Sequence, residues 1–228
     1  MEQADPRDLP THTVADAARI LRMPAATLRT WLFGRDYETE NGARRFTRLI
    51  EPPSDPHGRL SFTNLIEAHV LRALRTKHGV PMHAVRRALD YAQRECAIDR
   101  LLIHEQLKAA PGRLFLDEYG TLIELPQGGQ LALRQHFEAH LERVLFDARD
   151  HLPVRLFPWF PIERDRAKKT IALDPRVSFG DPVTNRRGIR TSIIAARFES
   201  GETIQELAAD YDLKDAEIED AILFERAA

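Results

Sequence analysis

The sequence predicts a mainly α protein with small β-hairpins: a winged helix-turn-helix at the amino end, a central hairpin plus helix, and a trihelical bundle at the carboxyl end. Three observations predict it. Two short stretches with helical apolar spacing meet at Arg22-Met23-Pro24. A two-residue turn signal, Asn41-Gly42, stands between basic and aromatic residues. Three further short periodic stretches, each with its own stop and start, close the chain.

Val14, Ala17, Ala18 and Leu21 recur at the spacing of one helical face, so the first helix carries a narrow apolar stripe. Pro24 cannot continue that helix and favours the start of another, which turns Leu28, Trp31 and Leu32 inward. Ala26, Thr27, Arg29 and Thr30 are left on the outer face. Small, hydroxyl and guanidinium side chains together suit entry into a DNA major groove, where Arg pairs with guanine and Thr meets a phosphate or a thymine methyl.

From Gly34 the chain reads as a β-hairpin, or wing, with Arg35 on its outgoing arm and Arg44, Arg45 and Arg48 on its return arm. All four are expected to meet DNA, and Arg44, Arg45 and Arg48 would reach phosphates, adding affinity without sequence information. Ser61 then caps a helix bearing Leu65, Ile66, Val70, Ala73 and Leu74 that ends at Gly79, and a fourth helix carries Met82, Val85, Leu89 and Ala92. Helix, turn, helix, wing and two helices resemble the DNA-binding domain of MerR-like regulators over residues 11–94, with TLRTW in the recognition helix and ARRF in the wing. That family's long dimer helix does not follow directly.

The 228 residues carry 33 basic and 35 acidic side chains, but the near-neutral average hides a gradient. Residues 1–94 hold 15 basic against 11 acidic side chains, a net of +4, whereas residues 95–164 and 165–228 each come to −3. Nucleic acid therefore belongs at the front. A lone Cys96 excludes an intramolecular disulfide and any cysteine-based zinc cage, and reads as a small helix-end filler. No apolar run approaches the ~18 residues of a membrane span, and the acidic, proline-containing start is unlike a signal peptide, so a cytoplasmic protein is expected.

In the middle, Leu114–Leu116 and Thr121–Leu125 flank a turn and predict a second hairpin. Leu133, Phe137, Leu141, Val144, Leu145 and Ala148 predict a helix of about five turns whose seam needs a partner, either the hairpin or a second copy of the chain. His136 and His140 have metal-ligand spacing, but no further motif completes a set, and neither metal nor cofactor is expected. No nucleophile, base and oxyanion trio supports an enzyme. Residues 95–152 thus form a central region with a candidate dimer contact. Residues 153–169, with Pro153, Pro158 and Pro161, form a linker that lies extended and is anchored by Trp159 and Phe160.

Residues 170–228 are the trihelical part. Ile193, Ile194 and Phe198 mark a helix closed by Gly201. Thr203 and Glu206 form a capping box for a helix with Ile204, Leu207, Ala208 and Tyr211 on one face. Leu213 turns the corner into a helix holding Ile218, Ala221 and Ile222. Between Glu202 and Glu225 nine acidic residues meet one basic residue, Lys214, which argues against phosphate contact there and for a basic protein partner, a sister subunit or plain solvation. Arg166–Arg190 instead holds seven basic and two acidic residues, with Arg186, Arg187 and Arg190 around Gly188.

Asp174-Pro175, Gly180-Asp181-Pro182, Gly188-Ile189-Arg190-Thr191, Gly201-Glu202-Thr203 and Ala208–Leu213 together resemble the domain of unknown function (DUF) family numbered 433. Such proteins are similar to VapB-like antitoxins of type II toxin-antitoxin pairs. The resemblance implies a repressor that binds its operator DNA and neutralises a PIN-like ribonuclease toxin, and a homodimer or higher homo-oligomer is expected. Arg186, Arg187 and Arg190 could enter that nuclease's Mg²⁺-binding carboxylate cluster, or Glu217 and Asp220 on the last helix could cover its basic RNA groove. The alternative is a stand-alone MerR-like regulator whose other parts sense a ligand or only dimerise.

Overall fold

A computed structural model describes residues 4–39, 42–75, 85–87, 89–90, 94, 100–103, 138–159 and 169–226. Among them the protein is helical with small antiparallel hairpins, and it divides into two units. One unit comprises residues 1–25, 53–62 and 155–228, the other residues 26–52 and 63–154.

In the first unit Thr13 caps helix α1 (Val14–Ile20) by accepting from the Asp16 amide at 3.1 Å. The predicted apolar stripe is buried, and Arg22 at φ 52° ends the segment. The chain returns through an isolated bridge between His12 and Leu60, and again in β4 (Pro153–Leu156), which bridges Leu156 to Leu173. The extended course expected of the proline-rich stretch holds for this strand, and Trp159 is half-buried; Phe160 lies outside the described residues. Strands β5 (Ile171–Ala172) and β6 (Val183–Thr184) pair antiparallel and lead into α4 (Thr191–Glu199), α5 (Ile204–Tyr211) and α6 (Asp215–Arg226).

Ile194, Leu207, Ala208, Leu213, Ile218, Ala221, Ile222 and Phe224 close one apolar core, so the trihelical bundle stands as read. The capping box is present: the Glu206 amide donates to Thr203 Oγ1 at 3.2 Å and the Thr203 amide to Glu206 Oε2 at 2.8 Å. That backbone hydrogen bond is the main cause holding the Glu206 carboxyl below the usual glutamate range. Asp212, left-handed at φ 50°, makes the corner before Leu213. Ile193 departs from the expectation, for it is 46% exposed while Ile194 alone of the pair packs inward.

In the second unit α2 (Ala25–Phe33) buries Leu28, Trp31 and Leu32. Strands β1 (Arg35–Thr39) and β2 (Gly42–Phe46) form the wing, with Arg35 opposite Phe46 and Thr39 opposite Gly42. Gly42 therefore opens β2 at φ +100° rather than ending the turn, a shift of one residue from the sequence reading. Helix α3 (Phe62–Arg75) buries Leu65, Ile66, Val70 and Ala73, and residues 85–87 and 89–90 are helical.

The long helix predicted through Ala148 needs correction. Residues 138–141 are helical, but Val144–Phe146 is a strand, β3, that pairs with β4 across a turn in which the Asp147 amide donates to the Leu152 carbonyl at 2.9 Å. Val144, Leu145 and Phe146 are a short apolar run that suits a strand as well as a helix, and periodicity alone cannot separate the two. The hairpin expected at 114–125, Cys96 and His136 lie outside the described residues.

Candidate functional site

The wing is tied to α2 by its backbone. The Gly34 amide donates to Thr30 at 3.0 Å, and the Leu49 and Ile50 amides both donate to the Trp31 carbonyl, at 2.7 and 3.1 Å. Gly34 adopts φ +75°, and a Cβ there would stand 2.4 Å from the Phe46 carbonyl oxygen. Only glycine lets the two arms of the wing leave the helix at this spacing. Arg86 fastens the same base of the wing, donating to the Arg48 carbonyl at 2.8 Å with its guanidinium 5.6 Å from the Phe46 ring centre.

The result is a groove of about 740 Å³ lined by Ala26, Thr27, Arg29, Thr30, Trp31, Gly34, Arg35, Tyr37, Phe46 and Arg75. Five residues predicted to meet DNA thus lie on one concave surface. Successive strand residues point to opposite faces, so Arg44, paired across from Tyr37, shares the side of Arg35 and Phe46, while Arg45 and its partner Asp36 point the other way.

The cations divide accordingly. Arg45 pairs with Asp36 at 3.3 Å and Arg48 with Glu51 at 2.6 Å, both exposed pairs that salt and phosphate can exchange. Arg29, Arg35, Arg44 and Arg75 have no ion pair among the described residues. Three guanidiniums without internal carboxylates, aimed into a groove beside a helix with a small-residue face, match the chemistry of a phosphate-flanked major groove. Arg75, Arg86 and the wing aromatics Tyr37 and Phe46 were not singled out from sequence. The signal for Arg75 was its place in the last turn of an amphipathic helix.

In the first unit the loops 174–181 and 184–190 lie beside one another, as a Cβ on Gly188 would stand 3.4 Å from Val177 Cγ1. Burial by itself would raise the Asp174 carboxyl, but hydrogen bonds from Arg176 and Arg155 outweigh it and hold the group below the usual aspartate range. Arg186 and Arg187 both reach Asp212 at the α5–α6 corner, and Arg186 Nε also lies 3.4 Å from Glu217 Oε2. Arg190 Nε lies 3.4 Å from Asp181. Arg186, Arg187 and the predicted acidic residue Glu217 thus belong to one network through Asp212, while Arg190 pairs separately with Asp181, and all three arginines remain at least 40% exposed. Asp220 is half-buried, and its Oδ2 makes no hydrogen bond among the described residues.

Helix α1 enters this unit directly. Arg19 Nη1 donates to Glu225 Oε2 at 2.7 Å, Thr191 Oγ1 donates to Glu225 Oε1, and Arg22 donates to the Phe224 carbonyl with its guanidinium 4.8 Å from the Phe224 ring centre. Among the described residues no group of three or more His, Cys, Asp or Glu stands where it could hold a metal ion, and no helix is long and apolar enough to cross a membrane.

The family described as "Protein of unknown function (DUF433)" matches residues 171–224, and the family described as "Putative DNA-binding HTH domain" matches residues 10–89. The chain is 29% identical to "Putative antitoxin VapB45" of Mycobacterium tuberculosis, over 94% of this chain and 93% of that one. It is 24% identical to "Uncharacterized protein Rv2308" of the same organism, over 94% and 90%. The crystal structure of Rv2018 from M. tuberculosis is 26% identical, with a TM-score of 0.71 over 95% of this chain and 98% of that one.

Proposed function

We propose, from the premise that residues 10–89 are a helix-turn-helix domain and residues 171–224 a DUF433 module, that this chain is a non-enzymatic antitoxin that also represses its own operon. Its amino-terminal winged element, MerR-like in order, reads operator DNA through Ala26, Thr27, Arg29 and Thr30, while Arg35, Arg44, Arg45 and Arg48 hold phosphates. Its carboxyl-terminal module neutralises a PIN-like ribonuclease through Arg186, Arg187, Arg190, Glu217 and Asp220. Residues 95–152 join two copies, matching two half-sites, in the cytoplasm.

The observation that carries the reading is the groove whose guanidiniums, Arg29, Arg35 and Arg75, have no ion pair among the described residues, on a chain similar over 94% of its length to "Putative antitoxin VapB45". The test has two arms. The purified chain should bind duplex DNA from upstream of its own reading frame at nanomolar concentrations, with affinity falling steeply as salt rises. Coexpressed with the adjoining reading frame, it should form a stable complex that silences that protein's ribonuclease activity. DNA binding without any such complex would replace this reading with a stand-alone regulator.

A further inference from the structure

Among the described residues Phe179 is the most exposed large hydrophobic side chain, at 71%, and its backbone is unusual as well. Ser178, Phe179 and Gly180 are three consecutive left-handed residues, at φ 49°, 56° and 83°. For a bulky side chain that conformation is strained and persists only where the surroundings impose it. Here they do. The Gly180 amide donates to Val177 at 3.0 Å, the Asp181 amide to Ser178 at 3.1 Å, and the Gly180 carbonyl accepts from buried His12 Nε2 at 3.1 Å. The fold therefore spends conformational energy to hold a ring in water.

We infer that Phe179 is the apolar anchor of a protein-docking surface, with Arg176 and Arg190 beside it, fitting a partner that offers an apolar pocket rimmed by carboxylates. Arg176, 59% exposed, is positioned by two hydrogen bonds to Asp174, and Arg190, 40% exposed, is tied to Asp181 two residues past the ring. A rigid aromatic flanked by arginines is the composition of an interface hot spot. Duplex DNA fits less well, because the same module carries nine acidic residues and one basic residue between Glu202 and Glu225. A second copy docking with Phe179 on the two-fold axis would gather Arg176 and Arg190 of both copies around one small patch, four like charges that repel. The partner is the companion toxin, and on this point the inference rests on the antitoxin reading.

The test titrates the full-length chain with the purified product of the adjoining reading frame, comparing wild type with Phe179→Gly and Phe179→Asn. Both replacements tolerate a left-handed backbone, so both variants should melt at or above the wild-type temperature. Each should bind the companion at least about 30-fold more weakly while operator affinity is unchanged. Undiminished companion affinity in either variant overturns the inference and leaves the antitoxin reading intact. Loss of operator binding, or of a homodimer, with companion affinity kept would give the ring to DNA or to a second copy and overturn it equally. Failure of the wild-type chain to bind the companion would defeat the antitoxin reading itself, and the inference with it.

Discussion

Arg19 and Glu225, 206 positions apart, meet at 2.7 Å, joining the first helix of the helix-turn-helix to the last helix of the chain. Both side chains are at least two-thirds buried, at 33% and 16% exposure, and Glu225 also accepts from Thr191. Glu225→Ala strips partners from both and should cost about 1–3 kcal/mol in urea unfolding of the full chain. A change under about 0.5 kcal/mol would show that α1 needs no anchor there.

Arg29 faces the groove from α2 and Arg44 shares the groove side of the wing, while Arg45 points away toward Asp36. Arg29→Ala should reduce the preference for operator over random duplex, by about 1–3 kcal/mol of discrimination. Arg44→Ala should weaken both duplexes alike and lower the salt slope by about one, with a smaller loss for Arg45→Ala. Salt titrations with the two duplexes separate these outcomes. Equal effects from all three would remove the distinction between reading and gripping.

Gly34→Ala adds a Cβ at 2.4 Å from the Phe46 carbonyl oxygen on a backbone already at φ +75°. Neither atom is the end of a flexible side chain, so the wing must shift. Stability should fall by at least about 1–2 kcal/mol and operator affinity should drop with it. A variant with wild-type melting and affinity would refute the close approach.

His69 is buried, its Nε2 bonded to the His140 carbonyl at 3.1 Å and its ring 5.4 Å from that of His140. Burial, with the neighbouring His140 ring, pushes its pKa down to about 3. The unfolded chain then binds a proton near pH 6.5 that the folded chain refuses until about pH 3. Stability contributed by the neutral ring is complete above pH 6.5 and declines through that window as pH falls, by up to about 1.4 kcal/mol per unit. Denaturation of wild type and His69→Gln at pH 7 and pH 5 should show a shallower acid loss in the variant; parallel curves would contradict this role.

The elements with explicit punctuation were legible in the residues. Pro24 fixed the helix-turn-helix corner, Thr203 with Glu206 fixed α5, and the spaced Gly and Asp-Pro motifs identified the carboxyl-terminal module. Val144–Phe146 was not, because three consecutive apolar residues carry no period. Nor was the exposure of Phe179, since a hydrophobic residue in a turn reads as core until the backbone around it is known. Arg19 and Glu225 were similarly silent, because pairing across 206 positions leaves no local pattern.

The division of labour between the two ends of the chain is tested most directly by hydrogen exchange of the full-length protein, free, with operator duplex, and with the adjoining frame's product. DNA should slow exchange over residues 26–48 and leave residues 174–190 unchanged. The companion protein should do the reverse. DNA protection confined to residues 174–225, or companion protection confined to the wing, would contradict it.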